Sequence, residues 1–251
     1  MDDAPQHGRH LDAGIDIAAN RSYDWLCMSN DDATLKRKAL AVHRRLLQIY
    51  GEPARGDGDP IAALVSTILS QNTNDVLRDR AYRRLRDRFP TWEQVRDAPA
   101  ADIAEAIRVA GLSQQKSVRI KQALQRITEE RGEFSLEFLR EMPVAEAKEW
   151  LTRLKGVGPK TAAIVLLFAL DMPAFPVDTH VHRLSRRIGL IGEKVSREKA
   201  HDELEHLLPA AIYYPLHMNL IRHGREVCSA RAPKCEACVV NDLCDYYAGG
   251  L

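Results

Sequence analysis

LKGVGPKTAAIVLLFAL, residues 154–170, sets two glycines one residue apart ahead of a proline, a lysine and an apolar run. Glycine lacks a Cβ, so Gly156 and Gly158 suit a tight turn and close backbone approach. Pro159 suits the first position of a helix, where a missing N–H costs nothing. Lys160–Leu170 is rich in Ala and Leu and reads as a buried helix. Upstream, VAEAKEWLTRL (144–154) has apolar residues at helical spacing. The stretch is therefore helix, glycine turn, helix. Backbone amides at the N-terminus of the second helix make a ready anion site, and a DNA phosphate is the obvious occupant. An ordinary helix–helix turn has the same local signature, so the rest of the chain must decide.

The chain has 251 residues and is 45% hydrophobic, enough for one or two domains with real cores. Aromatic residues are scarce, strand-like alternation is rare, and Ala, Leu, Arg and Glu dominate, which points to an all-α fold. The net charge of +1 does not announce nucleic acid, but the distribution of charge says more. RDRAYRRLRDR (78–88) holds six Arg against two Asp, KSVRIKQALQR (116–126) has four cations and no acid, and HRLSRR (182–187) is a third basic run. Each can be a solvated helix face, and together they can form one positive surface. The apolar run Ala162–Leu170 is nine residues, too short to span a bilayer. MDDAPQHGRH shows no basic segment followed by an apolar one, so no secretory signal is expected.

Periodicity predicts a helix over 31–50, a loop at GEPARGDGDP (51–60), and a buried helix face marked by Ile61, Leu64, Val65, Ile68 and Leu69. Helices are then predicted near 75–88, 91–96, 101–110, 114–131, 135–140, 144–154 and 159–170. DMPAFPVD (171–178) has two prolines and cannot be helical throughout. Helices resume near 179–190, 196–208 and 210–223, and 224–251 reads as loop. Residues 1–30 read as a partly disordered extension, in which Cys27 is an isolated thiol.

CSARAPKCEACVVNDLC (228–244) places Cys228, Cys235, Cys238 and Cys244 at C-x6-C-x2-C-x5-C. Four thiolates within 17 residues can converge on one metal centre. A tetrahedral zinc and an iron–sulfur cube both take four cysteines, and the thiols alone do not choose between them. A single C-x2-C pair is unlike the paired knuckles of a zinc ribbon.

The cysteine spacing, the LKGVGPKTA turn and the stretch FPVDTHVHRLSRR (175–187) together resemble the endonuclease III family. These are DNA glycosylases of the helix–hairpin–helix superfamily with a C-terminal [4Fe–4S] cluster. The resemblance covers about residues 31–250. It implies a two-lobed all-α fold with the substrate cleft between the lobes. Residues 54–172 would form a six-helix domain containing the helix–hairpin–helix at 144–170. Residues 31–53 and 173–251 would form the cluster domain, with the four cysteines as ligands. The expected partner is double-stranded DNA carrying a damaged base or an abasic site. The protein is expected to be a monomer, off the membrane, in the nucleoid of a prokaryotic cytoplasm.

The implied activity is removal of oxidised pyrimidines followed by cleavage at the abasic site. The base leaves the stack, an amine attacks C1′, and the Schiff base makes the 3′ phosphate easy to eliminate. The resemblance places the catalytic lysine at Lys160 and the catalytic aspartate at Asp178, where it would stabilise charge at C1′. An α-helix of about 11 residues advances roughly 16 Å, and the seven residues after it can run back nearly as far. Asp178 also reads as a helix N-cap, which a site carboxylate can be at the same time. His180 would support the site. SQNTND (70–75) would supply the polar side chain that fills the gap left by the base, with Asn72 or Gln71 in that role. Lys155, Gly156, Val157 and Gly158 would grip phosphate, joined by Arg225 and Arg231 beside the cysteines. Lys155 departs from a common proline, and Pro159 from a common basic residue. Alternatives are a glycosylase for another damaged or mismatched base without strong lyase activity, and a non-catalytic binder of damaged DNA.

Overall fold

α8 (Pro159–Ala169) is apolar on nearly every side because both of the molecule's cores close on it. In the computed structural model, residues 30–56 and 58–249 are described. Among them there are helices and turns and no strands. One core runs from Ile61 to Ala174 and takes Ala162, Ala163, Val165 and Leu166 of α8. The other takes Leu167, together with Ala39, Val42 and Leu46 near the start and residues from Phe175 to Val240.

α2 (Pro60–Ser70) packs along α8 in the first core. Its start is fixed by Pro60 at the first position and by Asp59, whose carboxylate accepts from the Ile61 amide at 2.8 Å. The other Asp59 oxygen accepts from the Trp92 indole at 3.1 Å, which ties α4 (Trp92–Asp97) to the same corner. α3 (Asp75–Arg88), α5 (Ala100–Ala106), α6 (Ser113–Arg131) and α7 (Val144–Thr152) complete this lobe. The second lobe packs α1 (Asn30–Tyr50) and α9 (Thr179–Ile188) on α11 (Tyr213–Glu226), with α10 (Arg197–Leu207) alongside.

Several elements differ from the sequence reading. The helix expected over 101–110 divides into α5 and a 3-10 turn, Arg108–Ala110. The one expected at 135–140 is a 3-10 turn, Glu137–Glu141. The segment 224–251, read as loop, holds the end of α11, two 3-10 turns and a short α12 (Asp245–Ala248). α11 runs through Gly224 because that glycine serves close approach: a Cβ there would lie 2.8 Å from His180 Nδ1. The expected extension over 1–30, with Cys27, lies outside the described residues apart from Asn30.

Candidate active site and cluster loop

The chain leaves α7 through Leu154, whose amide donates to Leu151 O at 3.1 Å, and Val157 N donates to Leu154 O at 2.9 Å. Gly156 sits at φ +85°, a region that favours glycine. Its Cα lies against the Arg119 side chain, and a Cβ would fall 2.7 Å from Nε. Gly158 is different: a Cβ there would meet open space. No side chain caps α8, and the Lys160 and Thr161 amides have no acceptor among the described residues. Lys160 is at the second position of that helix, half-buried, and Lys155 is exposed on the turn.

From α8 the chain must turn back within nine residues to reach Asp178, and each step is tied. Asp171 adopts φ +51° and pairs with Arg55. Met172 N donates to Leu166 O at 2.9 Å, and Phe175 N to Glu205 Oε1 at 2.7 Å. Two buried histidines take the carbonyls that follow: His201 Nδ1 donates to Phe175 O at 2.9 Å and His217 Nδ1 to Pro176 O at 2.8 Å. A carbonyl accepts only, so both rings are protonated at Nδ1. Asp178 then caps α9, with one carboxylate oxygen accepting from His180 N and Val181 N, both at 2.8 Å. Its second oxygen has no partner among the described residues.

The His217 ring, which donates to Pro176 O, is the most strongly shifted histidine among the described residues. Burial drives this imidazole down to about 4, while Asp178 pulls it up and Lys160 pushes it down. The ring is 2% exposed and packs edge-on against Phe168 and Phe175. The buried His217 ring thus feels the charge of both the Lys160 amine and the Asp178 carboxylate. Sequence reading missed His217. PLHMNL places it on the apolar stripe of an ordinary helix, and only the fold shows what it touches.

The loop after α2 resolves into two roles. Gln71 is half-buried: its Nε2 donates to Gly156 O at 2.9 Å and its Oε1 accepts from Arg119 at 2.8 Å. Asn72 is exposed at the tip with φ +53°. A second exposed tip was not foreseen: Leu112, at φ +48° ahead of α6, is 48% exposed. A non-glycine residue held in that region signals strain that the surroundings maintain.

Several expected phosphate contacts are engaged elsewhere. Arg225 pairs with Asp75 at 2.9 Å, joining the end of α11 to the start of α3 across the two lobes. The run 116–126 does not offer an open basic face. Lys116 is buried on Leu69 O and Ala110 O, Lys121 binds Arg96 O and Ala98 O, Arg119 binds Gln71, and Arg126 pairs with Glu130. His180 receives Arg183 at its Nδ1 (3.1 Å), and Arg183 also binds Cys228 O and Gly224 O. Arg231 is exposed.

Cys228, Cys235, Cys238 and Cys244 line one cavity beside Arg187 and Tyr246. Arg187 holds the loop by Ser229 O (2.7 Å) and Ala230 O (2.9 Å), and points an N–H at Cys228 Sγ, 3.3 Å away. His223 Nε2 lies 3.2 Å from Cys238 Sγ. Burial, then the neighbouring thiols, pushes Cys235 up. Burial does the same to Cys238. Four thiolates become stable together only around a cationic centre, and N–H groups aimed at sulfur suit the anionic sulfurs of an iron–sulfur cluster.

The family profile described as "HhH-GPD superfamily base excision DNA repair protein" matches residues 65–210, and that described as "Iron-sulfur binding domain of endonuclease III" matches 228–244. The chain is 33% identical to endonuclease III of Thermotoga maritima over 189 residues, 75% of this chain and 84% of that one. An Arabidopsis thaliana protein, provisionally named a DNA glycosylase, is 40% identical over 66% of this chain, which spans 56% of that relative's length. A solved non-covalent endonuclease III–DNA complex superposes with a TM-score of 0.74 at 24% identity, covering 85% of this chain and 97% of that one.

Proposed function

The chain belongs to the HhH-GPD superfamily of base excision DNA repair proteins, carries the [4Fe–4S] cluster of its endonuclease III branch, and on that premise we propose that it is a bifunctional glycosylase and abasic-site lyase acting on oxidised pyrimidines in duplex DNA. The observation that supports this reading is Lys160 in the first turn of a helix that no side chain caps, with Asp178 capping α9 through one carboxylate oxygen and leaving the other free.

The turn at Gly156–Gly158 grips a phosphate with the α8 amides, and Lys155 adds charge. Asn72 enters the stack where the base was, and Leu112 wedges beside it. The extruded nucleotide brings C1′ to the Lys160 amine. The amine attacks as the neutral form. The C1′–N bond to the base breaks, and the departing base takes up a proton. The free Asp178 oxygen stabilises the positive charge that develops at C1′. Loss of the C2′ proton from the resulting imine expels the 3′ phosphate, and water then releases the sugar fragment from Lys160. The cluster, held by the four cysteines, supplies no step: it shapes the loop carrying Arg231.

Borohydride trapping on a duplex with one abasic site tests the reading. Wild-type protein should yield a covalent adduct and Lys160→Ala none. No adduct from the cluster-replete wild type would overturn the lyase assignment and leave a hydrolytic glycosylase or a damage binder. Release of oxidised pyrimidines from a panel of duplexes tests the substrate.

A further inference from the structure

Resting on the glycosylase reading, we propose that Arg119 and Gln71 form a clamp that sets the intruding tip at Asn72 against the phosphate-gripping turn at Gly156, so that gripping the strand and extruding the base are one coupled movement.

α6 lies under both parts. On one face, Arg119 donates to Gln71 Oε1 at 2.8 Å, and the same amide group donates onward to Gly156 O at 2.9 Å. The guanidinium carbon chain also fills the space where a Cβ on Gly156 would stand. One turn earlier on α6, Lys116 is 1% exposed, and its ammonium donates to Leu69 O (2.8 Å) and Ala110 O (2.9 Å). Both carbonyls end helical turns, where partial negative charge accumulates and a cation is favoured. Lys116 thus pins the bases of the two loops that carry Asn72 and Leu112, and Arg119 pins the middle of the first to the hairpin.

Gln71 is spent on this network, while Asn72, the next residue, is exposed and in the left-handed region. The tip is therefore presented by a fixed neighbour. A hairpin that shifts to seat a phosphate pulls Gly156 O, and with it Gln71 and the tip. The charge-assisted bond from Arg119 fixes the Gln71 amide that passes that shift to the tip.

The test uses the holoprotein and a duplex with one tetrahydrofuran abasic analogue opposite 2-aminopurine, whose fluorescence rises on unstacking. Arg119→Leu removes one bond and Gln71→Leu both, and because either change opens the hydrogen-bond chain each should slow the rise by roughly tenfold, with the double variant no slower than either. Gln71→Glu keeps the acceptor for Arg119 but cannot donate to Gly156 O, so it should behave like Gln71→Leu. Arg119→Lys keeps a donor to Gln71 and should recover much of the rate. Affinity of Arg119→Leu for undamaged duplex should stay within about twofold, since it removes no phosphate contact. Melting temperatures report whether each variant is folded. A wild-type rise that the folded single variants leave intact overturns the clamp alone, as do single losses that multiply in the double variant. No rise from wild type overturns the clamp together with the glycosylase reading.

Discussion

The glycine turn at 154–158 and the cysteine loop at 228–244 are both irregular segments, yet the cations beside them are used in opposite ways. Around the cysteine loop the cations reaching in from neighbouring helices are committed, while the loop's own Arg231 and Lys234 stay exposed. Arg187 and Arg183 hold its carbonyls, Arg45 binds Asp242 and Val239 O, and Lys38 pairs with Asp245 at 2.5 Å. Around the turn, Lys155 and Lys160 have no partner among the described residues, and the α8 amides are uncapped. The difference follows from what each segment faces. A loop that would hold a cluster is part of the fold and must be held before anything else binds. A turn that receives an external anion must keep its donors unspent. An inward-directed cation contributes to stability, and an unspent one contributes to binding and chemistry.

That contrast can be broken by separating the two effects. The largest is expected at the turn: Lys160→Ala should lower trapping and strand cleavage by at least about a thousandfold, as loss of a covalent nucleophile does. Its melting temperature should hardly change, and a large drop would mean that Lys160 is structural. Next is the loop. Arg187→Ala removes two carbonyl contacts and one at sulfur, and should cost about 3 kcal/mol in denaturant unfolding, with faster loss of cluster absorbance. Asp178→Asn keeps a capping side chain but removes the negative charge at C1′, so base excision should fall about a hundredfold with little loss of stability.

His217 sharpens the comparison through pH. Its folded value of about 4 lies below the ordinary 6.5, so the unfolded chain binds more protons between these values and stability falls as pH drops through that window. From pH 7 to 5 this amounts to about 2 kcal/mol. His217→Gln should therefore lose less stability than wild type over that step in urea titrations, by roughly that amount. An equal pH dependence would place the acid sensitivity on His201 or His43, which burial also lowers. The smallest effect is at Lys155→Ala: a drop of about one in the slope of log affinity against log salt, and no measurable change in melting temperature.

The two lobes were legible where a local rule applies. Helix α8, its proline start and its glycine turn follow from residue conformational preferences, and the cap at Asp178 follows from its place before a helical run. The cysteines announced themselves by spacing. The basic run 116–126 misled, because charge counted along a chain does not say which way a side chain points. Lys116 looks like surface and is buried under two loops. Gln71 and Asn72 are neighbours of similar chemistry, and only the backbone sign at Asn72 and the hydrogen bonds of Gln71 separate a presented tip from a fixed anchor.

What the sequence determined by itself is the set of pieces: apolar helices, a turn open to an anion, a lysine and an aspartate 18 residues apart, and four thiols. What the tertiary structure decided is their relation. Pro176 O meets His217, Gly156 O meets Gln71 and Arg225 meets Asp75 only after helices far apart in the chain have packed. Local preference acts within a few residues, whereas these contacts depend on the burial of two cores against α8.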